Sequence, residues 1–227
     1  IPLRLVGSEM CIRDRDILET MKARHSVRQY KNQAIESSKR EKINALIKDV
    51  NAESKLSIQD FYDEPKCFDS CMAHYGKFEN VKNYIAIVGN KNDQEKAGYY
   101  GEKIVLKCQK LGLNTCWVAM TNGKSKAQIK RGQKLLIIIS LGYGETQGVP
   151  HKSKSIAELG QADQKNEWFE KGMEAVSLAP TAVNQQKFYF ELKNGIVTAK
   201  NLGGFYSRID LGIVKYHFEA VTGHEVK

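Results

Sequence analysis

Residues 134–143 read KLLIIISLGY and contain the longest apolar run of the chain, Leu135–Ile139. A short apolar run of this kind, followed by a glycine, predicts a buried strand. A second buried strand is predicted at 84–88, YIAIV, and residues 94–111 between the two carry the apolar stripe of a helix. Because strands and helices are interspersed along the chain, we expect an α+β fold.

Further elements are predicted outward from this centre in both directions. The spacing of apolar residues, capping residues and turn residues predicts helices at 16–23 and 37–50, strands at 56–61 and 114–120, a helix at 167–178, a hairpin of 188–192 with 196–200 around Asn194-Gly195, and a last helix at 209–222.

Three segments are predicted along the chain. Residues 1–15 show no usable periodicity and are interpreted as a non-native extension. The polar stretch 151–166 reads as a linker, so that 16–159 form an N-terminal half and 160–227 a shortened C-terminal half. The two halves present helix, strand and long helix in the same order, which indicates either an internal repeat or a coincidence between two ordinary α+β pieces.

The composition argues against a nucleic-acid-binding, membrane-spanning or metal-binding protein. The net charge is +9, but the lysines are spread along the chain without a basic run, so a solvated surface is favoured and nucleic acid binding is not expected. No stretch approaches the length needed to span a membrane. Five cysteines without a CxxC pair predict reduced thiols in the cytoplasm, and no metal site is expected, because Cys67, Cys71 and His74 lack further ligands.

Residues 24–30, RHSVRQY, have the chemistry of an anion-binding turn. Arg24, Ser26 and Arg28 alternate, so an extended backbone would bring their side chains to one face. Two guanidinium groups and a hydroxyl suit the oxygens of a phosphate. The alternative is an ordinary solvated basic turn.

Residues 179–186, APTAVNQQ, have the character of a loop that clasps a planar ring. Pro180 offers an apolar surface, and the amide of Asn184 both donates and accepts hydrogen bonds. The alternative is a capped turn between a helix and a strand.

These two motifs resemble the two halves of the cofactor site of the nitroreductase family, whose members bind flavin mononucleotide (FMN). RHSVRQY matches each position of the family's opening motif, including its aromatic residue at Tyr30. The resemblance implies a mixed or antiparallel central sheet flanked by helices. It also implies that Arg24 and Ser26 hold the FMN phosphate, that Arg28 lies near N1 and the C2 carbonyl of the ring, and that His25 contributes its backbone.

Two intervening stretches resemble the family in the same order along the chain. LGLNTCWV at 111–118 matches a segment that runs beside the flavin, which implies ring-edge contacts from the backbone of Trp117, Val118 and Ala119. Lys152 and Lys154 stand where family members carry two basic residues that close over the phosphate.

The loop 179–186 resembles the family's Ala-Pro-Ser-Ala-x-Asn-x-Gln motif and implies that Pro180 and Thr181 pack on the ring. Asn184 would reach a flavin carbonyl or N3, and Gln186 completes the motif. In ordinary members this loop follows the first motif closely and reaches the partner subunit's flavin. Its late position here resembles a minor branch with a two-part, pseudodimeric subunit, so a monomer with both halves in one chain and a homodimer both remain open.

The resemblance implies a ping-pong oxidoreductase in which NADH or NADPH delivers hydride to N5 of FMN and a nitroaromatic, quinone or similar small molecule accepts it. The acceptor cavity would be lined by the segments 61–76 and 203–208. No catalytic acid or nucleophile is predicted, because no suitable constellation is present. The alternatives are an FMN-binding sensor or carrier without turnover and a basic adaptor without a cofactor.

Overall fold

A computed structural model describes residues 17–120 and 122–227. The interpretation of residues 1–15 as an extension lies outside the described residues. The helices of the described chain are α1 (17–23), α2 (Ser37–Ser54), α3 (Cys71–Tyr75), α4 (Gln94–Lys110), α5 (Ile156–Leu159), α6 (Glu167–Ser177) and α7 (Ser207–Thr222). The strands are β1 (Ser57–Phe61), β2 (Asn83–Gly89), β3 (Asn114–Val118), β4 (Lys134–Gly142), β5 (Gly160–Ala162), β6 (Phe188–Lys193) and β7 (Ile196–Asn201).

The predicted apolar strand β4 lies inside a four-stranded antiparallel sheet of order β1-β2-β4-β3. It pairs with β2 on one side and with β3 on the other, and residues 136–142 are buried. Strand β2 is buried over its whole length. A strand covered on both faces has no solvent side, which is why its sequence is continuously apolar instead of alternating.

The second sheet is smaller and mixed. Strand β6 runs parallel to β5 and antiparallel to β7. The β6–β7 turn has positive φ at both Asn194 and Gly195, as a two-residue hairpin turn of this hand requires. Near the C-terminus, Val226 forms an isolated bridge with Val197 beside this sheet.

Helices α4, α6 and α7 pack together and connect the two sheets. One continuous apolar core includes Ile85 of β2, Ile104 of α4, Phe190 of β6 and Phe218 of α7. The predicted α+β class with antiparallel and mixed sheets flanked by helices is confirmed. Within the described residues, no helix combines the length and the apolar character that crossing a membrane requires.

The polar stretch 151–166 contains more structure than the predicted linker. Ser155 and Glu158 form a capping box that starts α5, and β5 follows directly and joins β6. The second sheet thus begins at residue 160. The Ser-x-x-Glu pattern is a readable helix signal, whereas a three-residue strand has no periodicity to read.

Candidate functional site

A cleft opens between the turn 24–30, the end of β3, the loop 179–186 and the start of α7. It consists of two adjoining cavities, of about 270 Å³ and about 340 Å³, which we call the cationic half and the apolar half. The cationic half is lined by Arg24, His25, Ser26, Arg28, Val149, His151, Pro180, Thr181, Val183 and Asn184. The two halves share Ser26, Arg28, Pro180, Thr181 and Val183.

The turn 24–30 is fixed to the first sheet by its buried residues. The backbone N–H of Val27 donates to the carbonyl of Thr115 in β3 at 3.0 Å. The hydroxyl of Tyr30 lies 2.7 Å from the Val27 carbonyl and 2.8 Å from the Ser140 hydroxyl. Since Val27 and Tyr30 are both in the core, they fix the position of Arg28, which lines the cleft.

Arg24 is a buried cation with unused hydrogen-bonding capacity. Its side chain is 3% exposed, and its Nε lies 3.8 Å from Oε1 of Glu102, too far for a hydrogen bond. Among the described residues, that Nε has no hydrogen-bond partner. Burial lowers the pKa of Arg24, although the Glu102 charge opposes this shift. A guanidinium in this state is suited to an anionic ligand.

Behind Arg24 lies a fully buried pair from two helices, Glu102 of α4 and His217 of α7. Trp117 Nε1 donates to Glu102 Oε2 at 2.9 Å, and His217 Nε2 lies 3.0 Å from Oε1. His217 Nδ1 lies 2.8 Å from the carbonyl of Ala175, so this nitrogen carries a proton.

The charge of this cluster follows from its hydrogen bonds. One further proton lies between His217 Nε2 and Glu102. Burial opposes ionisation of Glu102, but the hydrogen bond and charge of His217 and the charge of Arg24 outweigh it and lower its pKa. Whichever partner holds the proton, Arg24, Glu102 and His217 together carry one net positive charge. That excess charge lies beside the cationic half.

The two histidines of the cationic half contribute hydrogen bonds more than charge. Burial lowers the pKa of His25, as does the nearby charge of Arg24, and burial likewise lowers the pKa of His151. At neutral pH the positive charge therefore comes from Arg24 and Arg28. No acidic side chain is found among the described residues that line this half, so its field favours an anion such as a phosphate.

The apolar half is suited to a flat, hydrophobic group. Its wall includes Cys116, Trp117 and Ala119 from β3 and the residue after it, together with Ile137 of β4. The side chains at its rim are large, apolar and exposed: Tyr75 (82%), Met120 (55%), Val183 (84%) and Phe205 (47%). Exposed apolar groups clustered around a cavity are typical of a binding site.

The loop 179–186 is held in place from both sides. On one side, the carbonyl of Lys152 accepts hydrogen bonds from Asn184 Nδ2 and Gln186 Nε2, each at 2.9 Å. On the other, the Asp210 carboxylate of α7 accepts from the backbone N–H of Ala182 at 2.9 Å and from Gln185 Nε2 at 2.7 Å. Burial raises the pKa of Asp210 to about 6.

Most of the site residues predicted from the sequence come together in the cleft. The predicted residues that line it are Arg24, His25, Ser26, Arg28, Trp117, Ala119, Pro180, Thr181 and Asn184. The side chain of Val118 packs in a core cluster, and the predicted contact of its backbone with the ring stays a prediction. Lys152, Lys154 and Gln186 are not among the lining residues. Lys154 donates from its backbone to Gln186 Oε1 and from Nζ to the Gln186 carbonyl, so these three residues act on the loop.

Sequence reasoning missed several lining residues, notably His151, Val183 and Asp210. His151 stands beside the predicted Lys152 and Lys154, so proximity to the motif was an available signal. No sequence signal pointed to Asp210, because an acidic residue in the first turn of a helix is ordinary. By contrast, Tyr75, Phe205 and Tyr206 of the apolar half come from the two segments expected to line an acceptor cavity.

Comparison with known proteins places this geometry in a family. The family model described as "Putative TM nitroreductase" matches residues 16–222. None of the curated proteins matches the chain. A solved "putative nitroreductase" from Thermotoga maritima superposes with a TM-score of 0.66 at 23% identity, covering 90% of this chain and 82% of that one.

Smaller relatives superpose on part of the chain. A "putative nitroreductase in complex with FMN" from Desulfovibrio desulfuricans gives a TM-score of 0.50 at 14% identity, with 63% of this chain and 93% of that one covered. A "putative NADH dehydrogenase/NAD(P)H nitroreductase" from Bacteroides thetaiotaomicron gives 0.50 at 18% identity, covering 66% and 98%. At sequence identities this low, the similarity to these structures shows a shared fold.

Proposed function

The chain belongs to the nitroreductase family described as "Putative TM nitroreductase", and on that premise we propose that it is an FMN-dependent oxidoreductase whose cofactor occupies the cleft. When bound, FMN would supply two-electron chemistry, taking hydride from NADH or NADPH and passing it to a nitroaromatic, quinone or similar small acceptor.

The observation that carries the proposal is the division of the cleft into two chemically different halves. The cationic half is lined by Arg24 and Arg28 and by no acidic residue within the described chain. The apolar half is walled mainly by aromatic and aliphatic side chains, with Arg28 and Asp210 as its charged lining residues. A ligand with a phosphate at one end and a planar ring at the other satisfies both.

In this proposal each part of the cleft has a separate task. Arg24 and Ser26 bind the phosphate, while Trp117, Ala119, Pro180 and Thr181 enclose the ring. Arg28 lies at the junction because it lines both halves, so its charge would stabilise negative charge that develops on the adjacent ring edge. The apolar rim residues, Tyr75 and Phe205 among them, would exclude water and contact the second substrate.

A single chain supplies all of these residues in the structure, which supports a site that acts in cis. The test is Asn184→Ala, which removes one of the loop's two side-chain hydrogen bonds to the Lys152 carbonyl. We expect weaker FMN binding that mixing with wild-type subunits does not restore. Restored affinity on mixing would instead favour a loop that serves the partner subunit.

The proposed function is tested with purified protein, FMN and each nucleotide. We expect stoichiometric uptake of FMN with its absorbance band near about 450 nm, followed by anaerobic bleaching with NADH or NADPH and recovery on addition of a quinone. A protein that takes up no flavin contradicts the proposal. One that binds FMN but is not bleached by either nucleotide would be a flavin carrier or sensor.

A further inference from the structure

The loop 179–186 is strained in a way that its own sequence does not explain. Val183, Asn184 and Gln186 have φ values of 47°, 53° and 45°, in the left-handed region. A β-branched residue such as Val183 is a genuine outlier there. Its side chain is 84% exposed, so burial of that side chain does not compensate. Strain of this kind persists where surrounding contacts impose it, and it concentrates at functional sites.

Asp210 accepts hydrogen bonds from two residues that flank the strained Val183 and Asn184. Its Oδ1 accepts the N–H of Ala182 and its Oδ2 accepts Gln185 Nε2. The same Gln185 nitrogen donates to the carbonyl of Phe205 at 2.6 Å. Both neighbours of this amide nitrogen are acceptors, which fixes the orientation of the Gln185 side chain. The Asp210 carboxylate thus ties the loop to α7, and the Gln185 amide ties it to the rim at Phe205.

This carboxylate is unfavourable for the fold itself. Asp210 is 5% exposed, and no described cation lies within ion-pair distance of it. Burial raises its pKa to about 6, which means that its charge is poorly solvated at neutral pH. A neutral side chain would be easier to bury. A costly charge kept beside a cleft is a mark of function.

We propose that Asp210 is the positioning residue of the ring-facing loop: its carboxylate holds Ala182 and Gln185 so that Pro180 and Thr181 form the wall of the apolar half. This inference rests on the proposed function, because the ligand positioned against that wall is the FMN ring. Asp210 acts through the loop and is not assigned a chemical step.

The first experiment compares Asp210→Asn with Gln185→Met, which removes the amide donor on the other side of the same contact. In Asp210→Asn, two amide nitrogens would face each other, and the loop is released. We expect FMN affinity to fall by about tenfold or more, with no decrease in the urea midpoint of the FMN-free protein. Gln185→Met should lower FMN affinity to a similar extent, because it breaks the same contact between the loop and α7.

Asp163→Asn is the matched control, because Asp163 also accepts a backbone N–H, that of Asn194 at the β6–β7 turn, and is not among the residues that line the cleft. Its FMN affinity should match that of the wild type. Unchanged FMN affinity in Asp210→Asn would overturn the proposal. So would an affinity loss that accompanies an equal loss of stability in the FMN-free protein.

A second measurement separates this inference from the proposed function. Amide hydrogen exchange of the segment 180–186, in protein without FMN, should be about tenfold faster in Asp210→Ala than in the wild type. If the wild type binds no FMN but this difference is found, Asp210 does hold the loop through Ala182 and Gln185, and the proposed function fails. Equal exchange rates in both proteins would show that Asp210 does not hold the loop, whether or not the protein binds FMN.

Discussion

Gly98 of α4 packs against the backbone of α7, and Gly212 of α7 packs against the backbone of α4 in the same way. A Cβ added to Gly98 would collide with the carbonyl oxygen of Ile209, and one added to Gly212 would collide with the carbonyl oxygen of Glu95. Each carbonyl lies three residues before the opposite glycine. Reciprocal contacts of this form are what a two-fold relationship generates, and an internal repeat of the two halves would produce them.

Gly98→Ala and Gly212→Ala should each be strongly destabilising. The added methyl group meets backbone atoms of the opposite helix, so relief requires the two helices to separate and α4–α7 packing to be lost. We expect a decrease of about 3 kcal/mol or more in the free energy of unfolding, measured by urea denaturation.

The matched control for the helix crossing is Gly112→Ala. Gly112 has φ of 74° and nothing within 4 Å of an added Cβ. Gly112→Ala should lower the free energy of unfolding by only about 1 kcal/mol, because the positive φ is the only feature that disfavours alanine there. Equal costs at all three positions would contradict the close crossing.

Glu102→Ala should destabilise the protein far more than Glu102→Gln. Alanine leaves the Trp117 N–H and the buried His217 without a partner and removes the charge facing Arg24, which costs about 3 to 5 kcal/mol. Glutamine can accept from Trp117 and donate to a neutral His217, and the cluster keeps its net charge. We expect Glu102→Gln to lose less than half as much in urea denaturation. Similar losses would argue that the charge itself, and not the hydrogen bonds, holds the cluster.

Arg24→Met should separate recognition of the phosphate from recognition of the ring. Methionine keeps an apolar stem but has no charge or donors. We expect FMN affinity to fall by about ten- to a hundredfold, while riboflavin, which has the ring without the phosphate, loses less than about threefold. Fluorescence titration measures both ligands.

Lys152→Ala is the control for Arg24→Met. The Lys152 carbonyl holds the loop, but its side chain is not among those that line the cleft. FMN affinity should therefore change by less than about threefold. An equal loss of FMN and riboflavin in Arg24→Met would show that Arg24 supports the cleft without binding the phosphate.

Asp210 should make the stability of the FMN-free protein depend on pH. Its pKa rises from 3.8 to about 6 on folding, so the folded state binds this proton more tightly than the unfolded state. The associated stability is present below about pH 4 and is lost as the pH rises through about 6. Asp210→Asn has no ionisable group at this position, so its free energy of unfolding does not fall for this reason. Its free energy of unfolding, relative to the wild type, should increase by about 2 kcal/mol between pH 4 and pH 7, and a constant difference would refute the assignment.

Val183→Gly should stabilise the protein, contrary to the usual effect of glycine. Glycine adopts a φ of 47° without strain, and the exposed valine side chain gives up little packing. We expect the free energy of unfolding to increase by about 1 kcal/mol. Val149→Gly is the matched control, because Val149 is also an exposed valine of the cleft but has no positive φ. It should be neutral or destabilising.

Local sequence determined the elements and the family. The apolar run at 135–139 predicted the inner strand β4, and the stripe at 94–111 predicted α4 to within one residue of its observed end. The helix signal is periodic and the strand signal is continuous, because a residue's burial depends on which faces of its own helix or strand are covered. The motifs at 24–30 and 179–186 carried the family resemblance for a similar reason, since each is a contiguous segment.

Tertiary structure alone decided which side chains act together. Arg24 faces Glu102, Glu102 meets His217 of another helix, and Asp210 holds a loop about 25 residues before it in the chain. A buried charge needs partners in space, and these partners are far apart in sequence. The sequence therefore determined the parts of the cleft, while packing of α4 against α7 determined how they are joined.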